Sequence, residues 1–275
     1  MSATPIPRTM MMTVYGDMDL TLIKEKPKNR KKIVTYSKLE DKISEIIRFV
    51  KKEISNKNQI FWVCPLIEES KKVEQQSVVN KFKYLEKYFK NRIGLIHGSL
   101  DKDERNKILN NFLDRKLDIL VSTTVIEVGV DIPSATTIVI EHAERFGLAQ
   151  LHQLRGRVGR NDIQSYCILL HKDNIGEISK QRIDIMKQTN DGFKIAEEDL
   201  KIRGPGEILG KKQSGSPSFY VADLSFDYDL LEDAKIMVED ILSTNPKLED
   251  IEGENLRNLL YLQERDAAIL TLTAG

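Results

Sequence analysis

The chemistry available to this chain is concentrated in one octet, Gln153-Leu154-Arg155-Gly156-Arg157-Val158-Gly159-Arg160. Arginines at 155, 157 and 160 are separated by glycines, so bare backbone and planar guanidinium forks can close on a dense anion together. Phosphate oxygens suit that fork better than they suit a lysine ammonium. A flexible, solvated basic turn would have the same composition. The octet, however, lies inside an apolar strand-and-helix pattern and not in a charge run. It closes a longer stretch from Val121, which leaves an apolar strand end through Thr123, Thr124, Gly129 and Asp131 and then makes a second β-rich run, Thr137 to Glu141.

Other chemistries find no support. A phosphate-cradling loop needs G-x-x-x-x-G-K-[ST], with backbone amides on the phosphates and a hydroxyl on Mg²⁺. Gly210-Lys211-Lys212 comes nearest and fails, because Pro205 stands where the first glycine belongs and Lys212 carries no hydroxyl. A D-E-x-[HD] motif is also missing; Asp103-Glu104-Arg105-Asn106 reads better as a helix cap. Cys64 and Cys167 sit in apolar runs as expected buried free thiols. His142, His152 and His171 have no metal-ligand spacing with them, so no metal site is assigned.

These residues need a scaffold, and the hydrophobic pattern supplies one. Strands are predicted at 33–36, 60–64, 93–96, 118–122, 137–141 and 166–170. Between them, Ser37-Lys38-Leu39-Glu40 fits a capping box opening a helix with Ile43, Ile46, Ile47 and Val50 on one stripe. Val78, Phe82, Leu85 and Phe89 mark a second helix. Asp101 and Glu104 cap a third, with Ile108, Leu109, Phe112 and Leu113 inward. Short strands alternating with helices and lacking tight hairpins specify βαβ units, hence an α/β fold with a mostly parallel sheet. Chemistry in such sheets collects at the carboxyl ends of strands. That predicts His97-Gly98, Ser122-Thr123-Thr124 and the Gly156–Arg160 loop on one edge. Beyond Leu170, two helices (175–186, with Ile178, Arg182, Ile185 and Met186 on one side, and 193–202) make a hairpin, followed by a Gly/Ser-rich loop and acidic helices.

The bulk numbers are those of a globular domain: 275 residues, 40% hydrophobic and 31% charged. No window reaches the roughly 18 apolar residues of a membrane span, and no secretory signal opens the chain. Net charge is zero, yet residues 223–275 hold 13 acidic and 4 basic side chains. The remainder is correspondingly basic, so a polyanionic partner is not excluded.

The motifs resemble those of the RecG branch-migrating DNA helicases of helicase superfamily 2. SATPIPRT (2–9) resembles the third helicase motif, FWVCPLIEES (61–70) and IGLIHG (93–98) the fourth and its neighbour, STTVIEVGVDIP (122–133) motif V and QLRGRVGR motif VI. NDGFKIAEEDLKIRGPGEILGKKQSG (190–215) resembles the translocation motif shared with the transcription-repair coupling factor Mfd, while YGDMDL (15–20) and RGPGE favour RecG. The resemblance implies a RecA-like three-layer lobe followed by a helical hairpin and a helical C-terminal segment. It implies a remnant of the first lobe at 1–24, the second lobe at 25–172, the translocation hairpin and loop at 173–220 and an acidic helical segment at 221–275.

It also implies roles. Arg157 and Arg160 would be arginine fingers on nucleotide phosphates with Gln153 beside them. Gly129 and Asp131 would line the nucleotide site, Asp131 near the ribose. Thr123 would touch the DNA backbone. Ser2 and Thr4 would couple the lobes, and Arg182, Arg203 and Gln213 would drive translocation. For His97, a place lining the DNA and a structural turn role both stay open. The implied cofactors are ATP and Mg²⁺, held mainly by another lobe. The implied partners are branched or duplex DNA and a P-loop-bearing lobe, in cis or in trans. The implied location is a bacterial-type cytoplasm, associated with the nucleoid. The missing motifs lead us to expect the second half of a helicase, inactive alone. Three readings stay open: a subunit completing an ATP-driven translocase, a DNA-binding module without ATPase activity, or a non-functional remnant.

Overall fold

The computed structural model describes residues 31–65, 71–123, 132–203 and 228–262. Ser2, Thr4, Gly129, Asp131 and Gln213 lie outside these residues, and of Arg203 only the helical backbone is described. Six strands form one sheet: β1 (Val34–Leu39), β2 (Gln59–Val63), β3 (Ile93–Ile96), β4 (Ile119–Ser122), β5 (Ala135–Ile140) and β6 (Tyr166–His171). Their spatial order is β1-β6-β5-β2-β4-β3 and every pair is parallel. β2, β4 and β5 are buried at every position, as parallel strands covered on both faces require.

Strand alternation divides the core in two. Phe61, Val63, Leu120, Ile138, Ile140 and Leu169 pack with Phe112 of α3 (Lys102–Leu113), with Leu148, Leu151 and Leu154 of α4 (Leu148–Arg155), and with Ile183 and Met186. Ile60, Trp62, Ile119, Val121, Val139 and Ile168 pack with Ile46 and Val50 of α1 (Ile43–Ser55) and with Val78 and Leu85 of α2 (Lys71–Phe89). A period of two along each strand puts these sets on opposite faces, giving the expected three layers.

Asp101 caps α3 as its side chain predicts, accepting from the amides of Asp103 at 2.9 Å and Glu104 at 2.8 Å. The capping box at 37–40 does not form. Ser37, Lys38 and Leu39 remain in β1, paired in register with Leu169, Leu170 and His171. A single 3₁₀ turn at Glu40–Lys42 then leads into α1 without a side-chain cap. Pairing with β6 outweighs the local signal. Leu113, expected inward, is exposed.

The hairpin exists as α5 (Glu177–Gln188) and α6 (Gly192–Arg203), and its described residues up to Ile202 belong to the same compact unit as the sheet. Of the predicted stripe, Met186 is buried and Ile185 packs against the core, but Ile178 is exposed, and Ile183 is buried in its place with Ile195 of α6. Helices α7 (Tyr228–Thr244) and α8 (Ile251–Leu262) belong to a second compact unit. There Asp250 Oδ1 accepts from the Gly253 amide at 2.6 Å, capping α8.

Candidate functional site

Because all six strands run one way, the sheet has a carboxyl edge and an amino edge, and the predicted site residues divide between them. His97 directly follows β3 and Thr123 directly follows β4; since Ile96 pairs with Ser122, the two emerge side by side on the carboxyl edge. The arginine octet does not join them. A Cβ added at Gly159 would lie 2.7 Å from Ile33 Cγ1 and 3.6 Å from Ser165 Cβ, atoms one residue ahead of β1 and β6. The Asn161 side chain donates to the carbonyl of Pro133, just ahead of β5. Gly156–Arg160 therefore lies on the amino edge. The expectation of a single edge fails because the octet ends a helix and not a strand: the segment from Glu141 through α4 returns the chain from the end of β5 to the side where β6 begins.

Backbone conformation fixes this loop. Gly159 has φ +72°, in the left-handed region, and its missing Cβ is what lets it lie against Ile33. The three arginines then part company. Arg155 is 1% exposed. Its Nη1 donates to the carbonyls of Met186 at 2.7 Å and Thr189 at 2.8 Å, and its Nη2 meets His152 Nδ1 at 3.1 Å. It thus covers the carbonyl end of α5, where a helix attracts cations. Burial lowers its pKa. Arg155 belongs to the scaffold and is removed from the phosphate-facing set. Arg157 is half-buried and Arg160 exposed, with Gln153 exposed on α4.

The hairpin meets the same loop. The Asn190 side chain donates to the Ile33 carbonyl at 3.1 Å, so the hairpin turn and Gly159 share Ile33 as a neighbour. Ser179 Oγ donates to the Glu144 carbonyl at 3.1 Å. Arg182 is half-buried on α5, its Nε without a hydrogen-bond partner among the described residues. Nothing in the sequence period announced the Arg155 contacts, since they link residues 31 and 34 positions apart.

On the carboxyl edge, Thr123 is 0% exposed and its hydroxyl has no hydrogen-bond partner among the described residues. His97 turns its ring onto its own loop: Nδ1 accepts from the Ser99 amide at 3.3 Å, and the Leu100 amide donates to its carbonyl at 3.2 Å. The strongest group here was missed from sequence. Glu141, buried at the end of β5, accepts from Trp62 Nε1 at 2.9 Å and pairs with Lys81 Nζ at 2.8 Å. Cys64 lies 3.9 Å from its other oxygen. Burial, and then the Glu141 charge, push the Cys64 thiol well above its usual pKa. A carboxylate closing an otherwise apolar strand was the available signal.

One group of donors among the described residues has the spacing of a cation site: Glu40, His142 and Glu144, within 4.8 Å of one another. His142 Nδ1 lies 2.6 Å from Glu40 and 3.3 Å from Glu144. Burial, the largest single cause, pushes the Glu144 carboxyl up, but the His142 hydrogen bond, a backbone hydrogen bond and the charges of His142 and Lys172 together outweigh it, and the net shift is downward. One His142 nitrogen faces both carboxylates, and Glu144 Oε2 is buried without a hydrogen-bond partner among the described residues.

With this geometry in view, residues 23–162 match the helicase conserved C-terminal domain, and residues 189–267 match the C-terminal part of domain 3 of ATP-dependent DNA helicase RecG. The chain is 47% identical over 262 residues to ATP-dependent DNA helicase RecG of Bacillus subtilis (strain 168), covering 94% of this chain and 38% of that protein. It is 47% identical over 266 residues to ATP-dependent DNA helicase RecG of Thermotoga maritima, covering 96% and 33%. A solved structure of RecG bound to a three-way DNA junction superposes with TM-score 0.66 at 47% identity, over 84% of this chain and 30% of that one. The chain thus spans between 33% and 38% of the length of these two curated relatives. No helix among the described residues is long and apolar enough to cross a membrane.

Proposed function

The chain belongs to the RecG family of ATP-dependent DNA helicases, and from that premise we propose that it supplies the second half of the nucleotide site and the transmission arm of an ATP-driven translocase on branched DNA. The observation that carries this reading is Arg155. Its guanidinium binds the carbonyls of Met186 and Thr189 while the neighbouring Gly156–Arg160 loop leaves Arg157 half-buried and Arg160 exposed. A shift of the loop on a nucleotide would therefore pull directly on the end of α5.

In this reading Arg157 and Arg160 bear on the phosphates of ATP, with Gln153 beside them and Gly129 and Asp131 lining the same cleft. The phosphate-cradling loop and the Mg²⁺ ligands come from another lobe, in cis or in trans, because the 275-residue sequence has no G-x-x-x-x-G-K-[ST]. Arg182, Arg203 and Gln213 pass the movement to duplex DNA, and Ser2 and Thr4 couple the lobes. Thr123 contacts the DNA backbone only after the groups that bury it move aside. Soluble DNA-acting work in a bacterial cytoplasm is part of the same reading.

The test is an ATPase assay with forked DNA and Mg-ATP. The purified chain alone is expected to hydrolyse nothing, and hydrolysis is expected once a P-loop lobe of the family is added. Arg157→Ala or Arg160→Ala then lowers the rate about 10³-fold, the magnitude of arginine-finger loss elsewhere. DNA-stimulated hydrolysis by the chain alone sinks the shared-site reading. An unchanged rate in both arginine variants sinks the assignment of the loop.

A further inference from the structure

The outer face of α1 and α2, which reaches the carboxyl edge only through the Lys81–Glu141 ion pair, carries a feature that the helicase reading leaves unused. From Lys81 to Arg92 the chain reads KFKYLEKYFKNR, four lysines and one arginine against one glutamate. The apolar side of α2 is spent on the core through Val78 and Leu85. Tyr84 packs partly buried against that core, and next to it stands the exposed Tyr88, with ring centroids 5.4 Å apart. Tyr88 is 42% exposed. Two ammonium groups attend these rings, Lys51 Nζ of α1 5.6 Å from the Tyr88 centroid and Lys81 Nζ 5.4 Å from that of Tyr84. Lys83 and Lys87 are exposed on the same helix, and Arg48 and Lys52 on α1.

An exposed aromatic among cations is costly to keep for solubility alone, since lysines without tyrosines would serve. It is the combination that single-stranded nucleic acid requires: cations tracking the phosphates and a ring on which a base stacks. Duplex DNA presents no free base face, so Tyr88 would be idle against it. An acidic peptide would use the lysines and leave the ring unmatched.

We propose that the α1–α2 face binds single-stranded DNA, with a base stacked on Tyr88 and phosphates held by Lys51 and Lys87. This surface is independent of the arginine loop, and its role does not depend on the nucleotide reading above. It would hold an unpaired strand next to a protein acting on branched DNA.

The test is fluorescence anisotropy of a labelled oligothymidylate with the full chain, without nucleotide, at two salt concentrations. Wild type is expected to bind with a clear salt dependence. Tyr88→Ala should weaken binding about tenfold or more, as loss of one stacked base does, while Tyr88→Phe retains it. Lys51→Gln with Lys87→Gln should lower both the affinity and the salt slope, and Lys107→Gln, exposed on α3 over the opposite face of the sheet, should leave oligothymidylate binding unchanged. Circular dichroism confirms that the exposed-site variants fold. Equal affinity for Tyr88→Ala and wild type overturns the proposal, as does a preference for duplex over single strand that Tyr88 does not affect.

Discussion

The two edges of the sheet are held by different physics, and the difference bears on what each can do. The carboxyl edge is tied by side-chain charge: Glu141 sits buried between Trp62 and Lys81, and His97 closes its own turn. The amino edge has one ion pair, Arg92 with Asp118 ahead of β3 and β4, and is otherwise tied by close approach of backbone. Gly159 lies against Ile33, Asn161 and Asn190 reach main-chain carbonyls, and Gln59 Nε2 donates to the carbonyls of Phe112 at 2.6 Å and Leu117 at 2.7 Å. A buried charge network resists displacement, because moving one member strands the others in low dielectric. Contacts that converge on main chain instead carry displacement along the chain. The edge that bears the arginine loop is thus the one whose ties lead into the hairpin.

The largest effect should come from Gly159. Valine there needs a left-handed backbone that β-branched residues avoid, and its Cβ would fall 2.7 Å from Ile33 Cγ1. Strain and overpacking together predict a loss of about 3 kcal/mol, read from the urea midpoint. Alanine, which shares the Cβ but lacks the branches, should lose less. If valine leaves the midpoint where it was, the amino edge is not closed by this contact.

On the carboxyl edge the corresponding change is Glu141→Leu. It strands the Trp62 N–H and removes the partner of Lys81, whose side chain is 27% exposed and so keeps part of its hydration. We expect a loss of about 2 kcal/mol, below the 3–5 kcal/mol of a fully buried pair. Lys81→Met in the same chain should recover part of it, because the double variant buries no lone charge. A double variant as unstable as the sum of the singles would show that charge is not what ties this edge.

How much of this was legible in the sequence follows the same division. Local and periodic features came through: the parallel α/β pattern, the Asp101 cap, the apolar faces of α1 and α2, and the hairpin. Features fixed by distant partners did not. Ser37 to Leu39 looked like a helix start until β6 claimed them as strand. Arg155 looked like a third phosphate ligand because composition does not reveal that Met186 and Thr189 end a helix beside it. The arginine loop lies on the amino edge because it follows a helix and not a strand, which the rule of carboxyl-end loops does not cover. That Thr123 is buried, with its hydroxyl unmatched among the described residues, is likewise decided by packing and not by its place in the motif.

The two thiols allow the finest comparison, since both are buried but their charged neighbours differ in sign. Cys64 lies beside Glu141, which adds to the effect of burial, whereas Cys167 lies near Arg155, which opposes it. Burial still pushes the Cys167 pKa up to about 12. An unfolded cysteine titrates near 8.5, so between about 8.5 and 12 the folded state holds a proton that the unfolded state has lost. Folded-state pKa above unfolded-state pKa means stability that is full below 8.5 and falls as pH rises. For Cys167 the loss should be about 1.4 kcal/mol between pH 7.5 and 9.5. Lysines and tyrosines titrate in the same range, so the quantity to measure is the difference in urea stability between wild type and Cys167→Ala at each pH. The cavity left by alanine shifts that difference by a constant, and the thiol makes it shrink with rising pH. A difference independent of pH would mean that the Cys167 thiol ionises as readily folded as unfolded, and that the strand below Arg155 is open to water.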